Sequence, residues 1–441
     1  MNARGHRASA EHDTIFALAS GRGRAGVAVV RVSGPDADDA LAALTHQPLP
    51  DERVAVLRTI FGVTIGDKID EALVLRFPAP RSYTGEDVVE YQVHGGPAVV
   101  SALLQQLGRI SGLRMAEPGE FTRRAVENGQ LDLTQAEAIA DLVDAETEAQ
   151  RRQAIRQLGG SLGELYEKWR GELIRSAAWI EATIDFPDEE IPQDALDASR
   201  RAIADIANEI QSHLKDGRRG EILRDGFHVA VIGSPNAGKS SLVNALAQRD
   251  VAIVSDIPGT TRDVLEVRLN LKGYPVILSD TAGLREGRDP IEQEGIRRAH
   301  ARAKEADLRL VVLDGTAGDR PRGLGGDIEI LSKADLTPDR REPGLWVSAK
   351  TGEGLTELVD LLAQHAEASM QAGEAPVLSR ARHRLAVEQA ERLLRDALVA
   401  SAPELAAEHL RLALTQIGRI TGRVDLDELL DVVFRDFCLG K

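Results

Sequence analysis

The chain has 441 residues, of which 43% are hydrophobic and 28% charged, and its formal net charge is −16. This length predicts about three domains, and no apolar run approaches the roughly 20 residues that a bilayer crossing needs. The charge argues against a protein that coats nucleic acid, because phosphate binding depends on Lys and Arg. The single cysteine excludes an intrachain disulfide, a multi-cysteine zinc site and an iron–sulfur cluster. The polar segment 1–13 lacks the apolar core of a signal peptide, which predicts a cytoplasmic location.

The first part of the chain, from 14 to about 114, has the pattern of a small α+β domain. Its apolar residues come in short β-branched runs that are separated by Gly and Pro clusters, as is typical of strands and turns. Strands are predicted at 26–32, 72–75 and 88–93, and helices at 37–45 and 97–110.

Two stretches of helical spacing flank a different middle. The first, 122–219, breaks once at 184–190, because Pro187 removes a backbone donor and the acidic run beside it cannot be buried. The second predicts helices at 379–399, 403–421 and 425–434. The simplest architecture is one helical domain, assembled from 122–219 and 370–441, with another domain inserted where its two ends lie close together.

The inserted segment, 220–369, alternates apolar strands with helices. Strands are predicted at 227–232, 264–271, 276–279, 308–313, 328–331 and 345–347, and helices at 239–248, 291–304 and 354–365. This order predicts a mostly parallel sheet that is covered on both faces. The predicted fold class is therefore multidomain, with an N-terminal α+β domain at 1–121, a discontinuous helical domain and an inserted α/β domain.

A phosphate-binding motif opens the first helix of the inserted segment. The sequence Gly233-Ser234-Pro235-Asn236-Ala237-Gly238-Lys239-Ser240 is a complete Walker A pattern that follows an apolar strand. Its backbone N–H groups can surround phosphate, Lys239 can neutralise the β and γ phosphates, and Ser240 can bind Mg²⁺. An incidental glycine turn is the weaker interpretation, because the strand and the helix stand where phosphate binding requires them.

Four further elements follow in the order that a GTPase needs. Asp280-Thr281-Ala282-Gly283 ends a strand, and the loop before it carries Thr261, which could complete the Mg²⁺ shell. Asp335 and the segment Ser348-Ala349-Lys350 follow two later strands, and a carboxylate that accepts both guanine N–H donors rejects adenine. The residues predicted to bind GTP are Asn236, Ala237, Gly238, Lys239, Ser240, Ser241, Ser255, Asp256, Ile257, Pro258, Gly259, Thr260, Thr261, Asp280, Thr281, Ala282, Gly283, Lys333, Asp335, Ser348, Ala349 and Lys350.

Three positions depart from the usual GTPase pattern. Ser332 stands where the guanine motif usually begins with Asn, so we expect a weaker contact to the base and a weaker brace to the phosphate loop. The Gly-rich stretch 315–327 stands where a GTPase normally has a crossover helix. A parallel crossover needs about a dozen residues or more, so this connection must be unusually tight or loosely ordered. Leu284 occupies the position of the water-orienting Gln of Ras-type proteins and cannot polarise water, so another group must do so.

These residues, with several segments outside the inserted domain, resemble the MnmE (TrmE) family of tRNA-modification GTPases, a branch of the TrmE-Era-EngA-YihA-Septin-like GTPases. The resemblance covers nearly the whole chain and implies a Ras-like GTPase domain. The further segments that carry it are 13–15, 26–34, 83–87, 94–97, 118–122, 131–138, 185–190 and 437–441.

The resemblance implies a homodimer that docks through an N-terminal domain binding a tetrahydrofolate one-carbon derivative. It implies a heterotetramer with the flavoprotein MnmG (GidA), which installs aminomethyl or carboxymethylaminomethyl groups on the wobble uridine of certain tRNAs. It also implies GTP hydrolysis stimulated by K⁺, which would bring two GTPase domains together. Because the chain is acidic, we expect its affinity for tRNA to belong mostly to the complex.

The resemblance also assigns residue roles. Glu292 would orient the attacking water, so that Lys239, Glu292 and Cys438 are the predicted catalytic residues. K⁺ would be held by Asn236, Ser255, Ile257 and Thr260; Mg²⁺ by Ser240 and Thr261; and the folate by Arg31, Glu90, Gln130 and Lys441. The family often has Lys where this chain has Gln130. From the sequence alone, Cys438 is more simply a packed thiol and Glu292 an ordinary acid near a helix start.

Two other classes of function fit parts of the chain. A GTPase domain also occurs in ribosome-assembly switches, which usually append a basic RNA-binding module that this acidic chain lacks. A folate-dependent one-carbon transferase acting alone would need a nucleophile set or a redox centre, and the sequence offers neither. A flavoprotein partner would supply the redox step.

Overall fold

The structure is a computed structural model, and it describes residues 13–62, 67–188, 192–216, 218–249, 251–253, 266–280, 306–317, 327–340, 343–371, 376–424 and 440. The chain divides into two compact units. The first is Met1–Ala140 with Gly418–Lys441, and the second is Asp141–Ile417.

The first unit contains a six-stranded sheet with the order β3-β4-β5-β2-β1-β6. The strands are β1 (Thr14–Leu18), β2 (Ala25–Ser33), β3 (Val56–Phe61), β4 (Lys68–Phe77), β5 (Val88–Gly95) and β6 (Leu113–Met115). All neighbours are antiparallel except β1 and β6, which are parallel. Helices α1 (Ala37–Thr45) and α2 (Pro97–Leu107) contribute to a core that includes Val30 and Val32. Because side chains alternate along a strand, Arg31 lies on the opposite face.

A set of helices follows: α3 (Glu120–Glu127), α4 (Leu133–Asp144), α5 (Glu148–Leu158), α6 (Ser161–Asp185), α7 (Gln193–Leu214) and α8 (Arg219–Asp225). The longest of them, α6 and α7, each bury a row of mostly apolar residues. Helix α6 ends two residues before Pro187, as the sequence predicts. In the second unit α7 packs against α6 and against a helix from beyond the inserted segment, α11 (Ala381–Val399). Helices from both sides of the insert thus share one core.

The second sheet also has six strands, in the order β12-β11-β10-β7-β9-β8. They are β7 (Phe227–Ile232), β8 (Glu266–Leu271), β9 (Tyr274–Asp280), β10 (Leu308–Asp314), β11 (Ile328–Ser332) and β12 (Leu345–Trp346). Only the β8–β9 pair is antiparallel, which confirms the predicted mostly parallel sheet. Helices α9 (Lys239–Ala247) and α10 (Leu355–Met370) contribute to its core. The carboxyl ends of the parallel strands therefore meet at one edge, where ligands bind in such sheets.

The chain enters and leaves the inserted domain at one place. Gly220, in the first turn of α8, lies against the main chain of Leu378, so closely that no side chain would fit between them. Near this point, the Ala149 N–H of α5 donates to the Gly273 carbonyl in the β8–β9 turn at 3.1 Å. The Gln150 amide donates to the Arg224 carbonyl at 3.0 Å.

The predicted helices 37–45 and 403–421 match α1 and α12 (Pro403–Thr421) residue for residue. Three short strands, β1, β3 and β6, were not predicted. The predicted helices 291–304 and 425–434, and most of the stretch 315–327, lie outside the described residues. The predicted domain boundaries stay predictions. Within the described part of the chain, none of the helices combines the length and the apolar character of a membrane-spanning segment.

Candidate functional site

The phosphate loop joins the end of β7 to the start of α9. Three of its residues have a positive φ: Gly233 at 151°, Asn236 at 64° and Gly238 at 91°. A side chain at Gly233 would collide with the carbonyl of Val312 in β10, so the loop depends on a glycine there. The helix begins at Lys239 immediately after Gly238. Its unpaired N-terminal N–H groups therefore face the loop, where an anion binds favourably.

The Lys239 side chain lies within this loop and is only 5% exposed. Its Nζ donates to the Gly233 carbonyl at 2.9 Å and to the Ser234 carbonyl at 2.8 Å. Burial lowers the pKa of Lys239 from its usual value, and the charge of Asp280 partly opposes that shift. A phosphate group between Lys239 and the loop amides would replace these carbonyl contacts with stronger charged ones.

A second polar pair connects α9 to the end of β9. The Ser240 hydroxyl donates to Oδ2 of Asp280 at 2.5 Å, and Asp280 is 2% exposed. A hydroxyl and a carboxylate beside a phosphate site form the oxygen donor set that Mg²⁺ prefers. These two residues therefore fit the magnesium role, and Ser240 would hold the ion as the sequence predicts.

The predicted base-binding residues meet at the ends of β11 and β12. The Ser348 hydroxyl donates to Oδ1 of Asp335 at 2.7 Å. The backbone N–H groups of Lys350 and Thr351 in turn approach Ser348 Oγ at 3.3 and 3.2 Å. The hydrogen bond from Ser348 is the main cause that lowers the pKa of Asp335. Asp335 therefore presents an ionised carboxylate, an acceptor-only group that suits the two N–H donors of guanine.

Asp314, which sequence analysis missed, positions the lysine of the base-binding motif. Lys333 has a positive φ of 59°, and its Nζ lies 2.6 Å from Oδ2 of Asp314 at the end of β10. Burial would raise the pKa of Asp314, but hydrogen bonds from Lys333 and Thr316 hold it below the usual value. The sequence feature that could have revealed Asp314 is an acidic residue at the end of an apolar strand, β10, which precedes the strand of the base-binding motif, β11.

Ser332 connects the end of β11 to the phosphate loop. It is 5% exposed, and its hydroxyl donates to the carbonyl of Ala237 in the phosphate loop at 2.6 Å. The hydroxyl also lies 3.0 Å from the Leu313 carbonyl. A brace to the phosphate loop is therefore present, because the serine hydroxyl at this position reaches the loop backbone, and its strength relative to that of an asparagine stays a prediction.

The predicted folate residues lie in the first unit, where β2 and β5 pair. Both Nε and an amino nitrogen of Arg31 contact Oε1 of Glu90, at 2.9 and 2.8 Å. The Arg31 guanidinium also lies 4.9 Å from the ring centre of Tyr83 and 5.6 Å from that of Phe121. Gln130 lies against Gly85, two residues after Tyr83. The structure thus places Arg31 and Glu90 in direct contact and Gln130 beside the adjoining loop.

Part of the predicted site lies outside the described residues: Ser255, Asp256, Ile257, Pro258, Gly259, Thr260, Thr261, Thr281, Ala282, Gly283, Glu292, Cys438 and Lys441. Their roles stay predictions. Gly440, next to the terminal lysine, is described, and it is buried against the backbone of Leu18 at the end of β1. Gly440 itself therefore lies against the N-terminal sheet.

Two family models match the chain. One, described as the GTP-binding protein TrmE N-terminus, covers residues 14–130, and one, described as the MnmE helical domain, covers residues 133–438. The tRNA modification GTPase MnmE of Parvibaculum lavamentivorans is 53% identical over 444 residues, or 97% of this chain and 100% of that protein. The protein of the same name from Rhodospirillum rubrum is 53% identical over 454 residues, or 97% and 99%.

Among solved structures, the G domain of the FeoB iron transporter from T. maritima aligns with 32% of this chain and 98% of that chain. It is 27% identical, and its TM-score of 0.21 is too low to carry a conclusion about function. The family models and the full-length relatives carry the assignment instead. Together with the phosphate loop and the carboxylate at the base end, they show a GTP-binding enzyme that hydrolyses GTP and acts in tRNA modification. The chain belongs to the MnmE family of tRNA modification GTPases.

Proposed function

We propose that this chain is a K⁺-stimulated GTP hydrolase of the cytoplasm that works with the flavoprotein MnmG (GidA). The complex adds an aminomethyl or carboxymethylaminomethyl group to the wobble uridine of certain tRNAs, with a tetrahydrofolate derivative as the source of one carbon. The observation that supports this most is that one chain carries both a phosphate loop and, elsewhere, a paired arginine and glutamate suited to a polar ring. A nucleotide site surrounds Lys239, and a polar pair, Arg31 with Glu90, lies in the first unit on the face of its sheet away from α1 and α2.

In the nucleotide site, the chain's own groups act chiefly by holding charge. Lys239 neutralises the β and γ phosphates, and the N–H groups at the start of α9 fix their oxygens. Mg²⁺, held by Ser240 and Thr261, would neutralise charge that develops between those phosphates. Asp335 selects guanine. Asp314 holds the side chain of Lys333, whose Nζ lies 2.6 Å from Oδ2 of Asp314. Glu292 is proposed to orient the attacking water, the role that Leu284 cannot fill.

The proposed K⁺ site includes Asn236, whose φ of 64° places it at a turn of the phosphate loop. A monovalent cation there would supply the positive charge that an arginine finger supplies in other GTPases. We expect GTP turnover to be at least about tenfold faster in K⁺ than in Na⁺ at equal ionic strength, because the two ions differ in size and so in fit. Steady-state phosphate release in the two salts measures this.

The same assay includes Glu292→Ala, for which we expect a loss of turnover of at least about a hundredfold in K⁺ with nucleotide affinity retained. Glu329→Ala, an exposed glutamate on β11, is the charge-matched control. Equal wild-type rates in the two salts would exclude the K⁺-coupled mechanism, while leaving GTP hydrolysis itself in place.

The proposed folate site depends on the Arg31–Glu90 pair. Both contacts from Arg31 go to Oε1 of Glu90, so Oε2 takes no part in the pair and can accept from the amino group of a pterin ring. Arg31→Ala removes the group that orients this carboxylate. We expect at least about tenfold weaker binding of 5-formyltetrahydrofolate, the loss typical of a charged hydrogen bond. Equilibrium titration of the purified protein measures it.

The control for this variant is Arg58→Ala, which removes an equal charge, that of an arginine on the edge strand β3. Unchanged folate affinity in Arg31→Ala would place the folate elsewhere. GTP turnover of the isolated protein, without its flavoprotein partner, is expected to stay at the wild-type rate in both variants, since neither residue lies in the unit that holds the nucleotide site.

The proposed assembly is a homodimer that forms a heterotetramer with the flavoprotein, and tRNA binds through that complex. The net charge of −16 supports this division of roles, since an acidic chain gains little from releasing the counterions of RNA. Tight, salt-resistant binding of tRNA by the isolated chain would contradict it.

A further inference from the structure

We infer that Ser332 is a positioning residue for the phosphates and not a reader of the base. Its hydroxyl holds one peptide unit of the phosphate loop in the orientation that phosphate binding needs. The inference rests on nucleotide binding at this loop and is independent of the proposed K⁺ and folate steps.

The contact that carries this inference is buried and short. Ser332 ends β11 and is 5% exposed, while Ala237 in the phosphate loop is fully buried. The Ser332 hydroxyl donates to the Ala237 carbonyl at 2.6 Å, across 95 residues of sequence. A buried carbonyl without a hydrogen-bond partner costs free energy, because water cannot replace the partner. This hydrogen bond therefore contributes more to stability than one at the surface.

The carbonyl of Ala237 belongs to the same peptide unit as the N–H of Gly238. In a planar trans peptide the C=O and the N–H point in opposite directions. A donor that fixes the Ala237 oxygen on the β11 side therefore turns the Gly238 N–H to the other side, into the loop. Gly238 adopts its φ of 91° freely, but Asn236 has a φ of 64°, which costs free energy for a residue other than glycine, so a hydrogen bond from outside the loop helps to hold this shape.

A serine has one hydroxyl hydrogen, and two protein carbonyls already compete for it. The second is Leu313 at the end of β10, 3.0 Å from Ser332 Oγ. An asparagine at this position would have two N–H donors and could serve the loop and the base together. Ser332 cannot, because its only hydrogen is directed at the protein backbone. Recognition of guanine then depends on Asp335, whose carboxylate Ser348 holds at 2.7 Å.

The test combines a protein change with a ligand change. GDP and 7-deaza-GDP differ in N7 of the base, the acceptor that a donor at position 332 would contact. We expect Ser332→Ala to weaken the binding of both ligands by the same factor of about ten, since the buried Ala237 carbonyl loses its partner in either case. Dissociation constants from calorimetric titration give the two factors. Ser332→Thr restores a hydroxyl and is expected to recover most of the affinity lost in Ser332→Ala.

Two results would overturn the inference. One is a loss confined to GDP, with 7-deaza-GDP unaffected, because Ser332 would then contact N7. The other is no loss for either ligand. If Ser332→Ala does not fold, Ser332→Cys keeps the shape, replaces the donor by a weak one and is judged by the same two factors. Wild-type GTP turnover in K⁺ and in Na⁺ is measured beside these titrations. A failure of the K⁺ proposal can then be told apart from a failure of the inference about Ser332.

Discussion

Lys239→Ala is expected to reduce GTP turnover by at least about 10³-fold, to the background of the assay. The lysine is 5% exposed and directed into the phosphate loop, so no solvent ion can take its place with the same geometry. Loss of one preorganised charge next to the transferred phosphate removes stabilisation that exists mainly in the transition state. Single-turnover hydrolysis at saturating GTP measures this step separately from binding.

The matched control for that variant is Lys168→Ala, which removes a half-exposed lysine on α6 that pairs with Glu209. The control is expected to hydrolyse GTP at the wild-type rate. Turnover by Lys239→Ala within about tenfold of wild type would show that the loop does not bind the phosphates as described.

Asp335→Asn is expected to lower affinity for GTP by at least about a hundredfold and to shift the preference toward xanthosine triphosphate. The carboxylate would accept from two N–H groups of guanine, whereas an amide would place an N–H donor against one of them. Xanthine carries a carbonyl where guanine carries the 2-amino group, so the new donor finds an acceptor. Competition titrations with GTP, XTP and ATP measure the three affinities.

Asp339→Asn makes the same chemical change four residues later, at an exposed position. We expect it to keep the guanine preference. Base recognition would have to lie elsewhere if Asp335→Asn still preferred GTP, and the close contact between Asp335 and Ser348 would then serve only the fold.

Local sequence patterns predicted the parts of the structure that local physics determines. The phosphate loop has its glycines where φ must be positive or where the backbone comes close to a neighbouring strand, as at Gly233. Helices α1 and α12 were predicted to the residue because each starts at or just after a proline and then has apolar residues at helical spacing. The strands of the inserted domain were predicted to within about two residues at either end, since buried parallel strands are continuous apolar runs.

Contacts between distant segments could not be predicted in the same way. Ser332 reaches Ala237 across 95 residues, and nothing near Ser332 in the sequence marks its partner. The same holds for Asp314 with Lys333 and for Arg31 between Tyr83 and Phe121. Strand β6 has three residues, too few to show an alternating pattern. Each of these features depends on which strands become neighbours, and that is decided by the whole sheet.

The close contact between Gly220 and the main chain of Leu378 limits how the inserted domain can move. Two covalent connections that cross at one point behave as a single pivot, so the inserted domain can swing about it but can hardly slide. Ala149 is hydrogen-bonded to Gly273 and Gln150 to Arg224, so the amino end of α5 also holds the inserted domain, and a swing must break these two hydrogen bonds. The amino end of α5 thus restrains the turning of the nucleotide-binding part, together with the ion pairs of Arg224 with Asp141 and of Arg268 with Glu146.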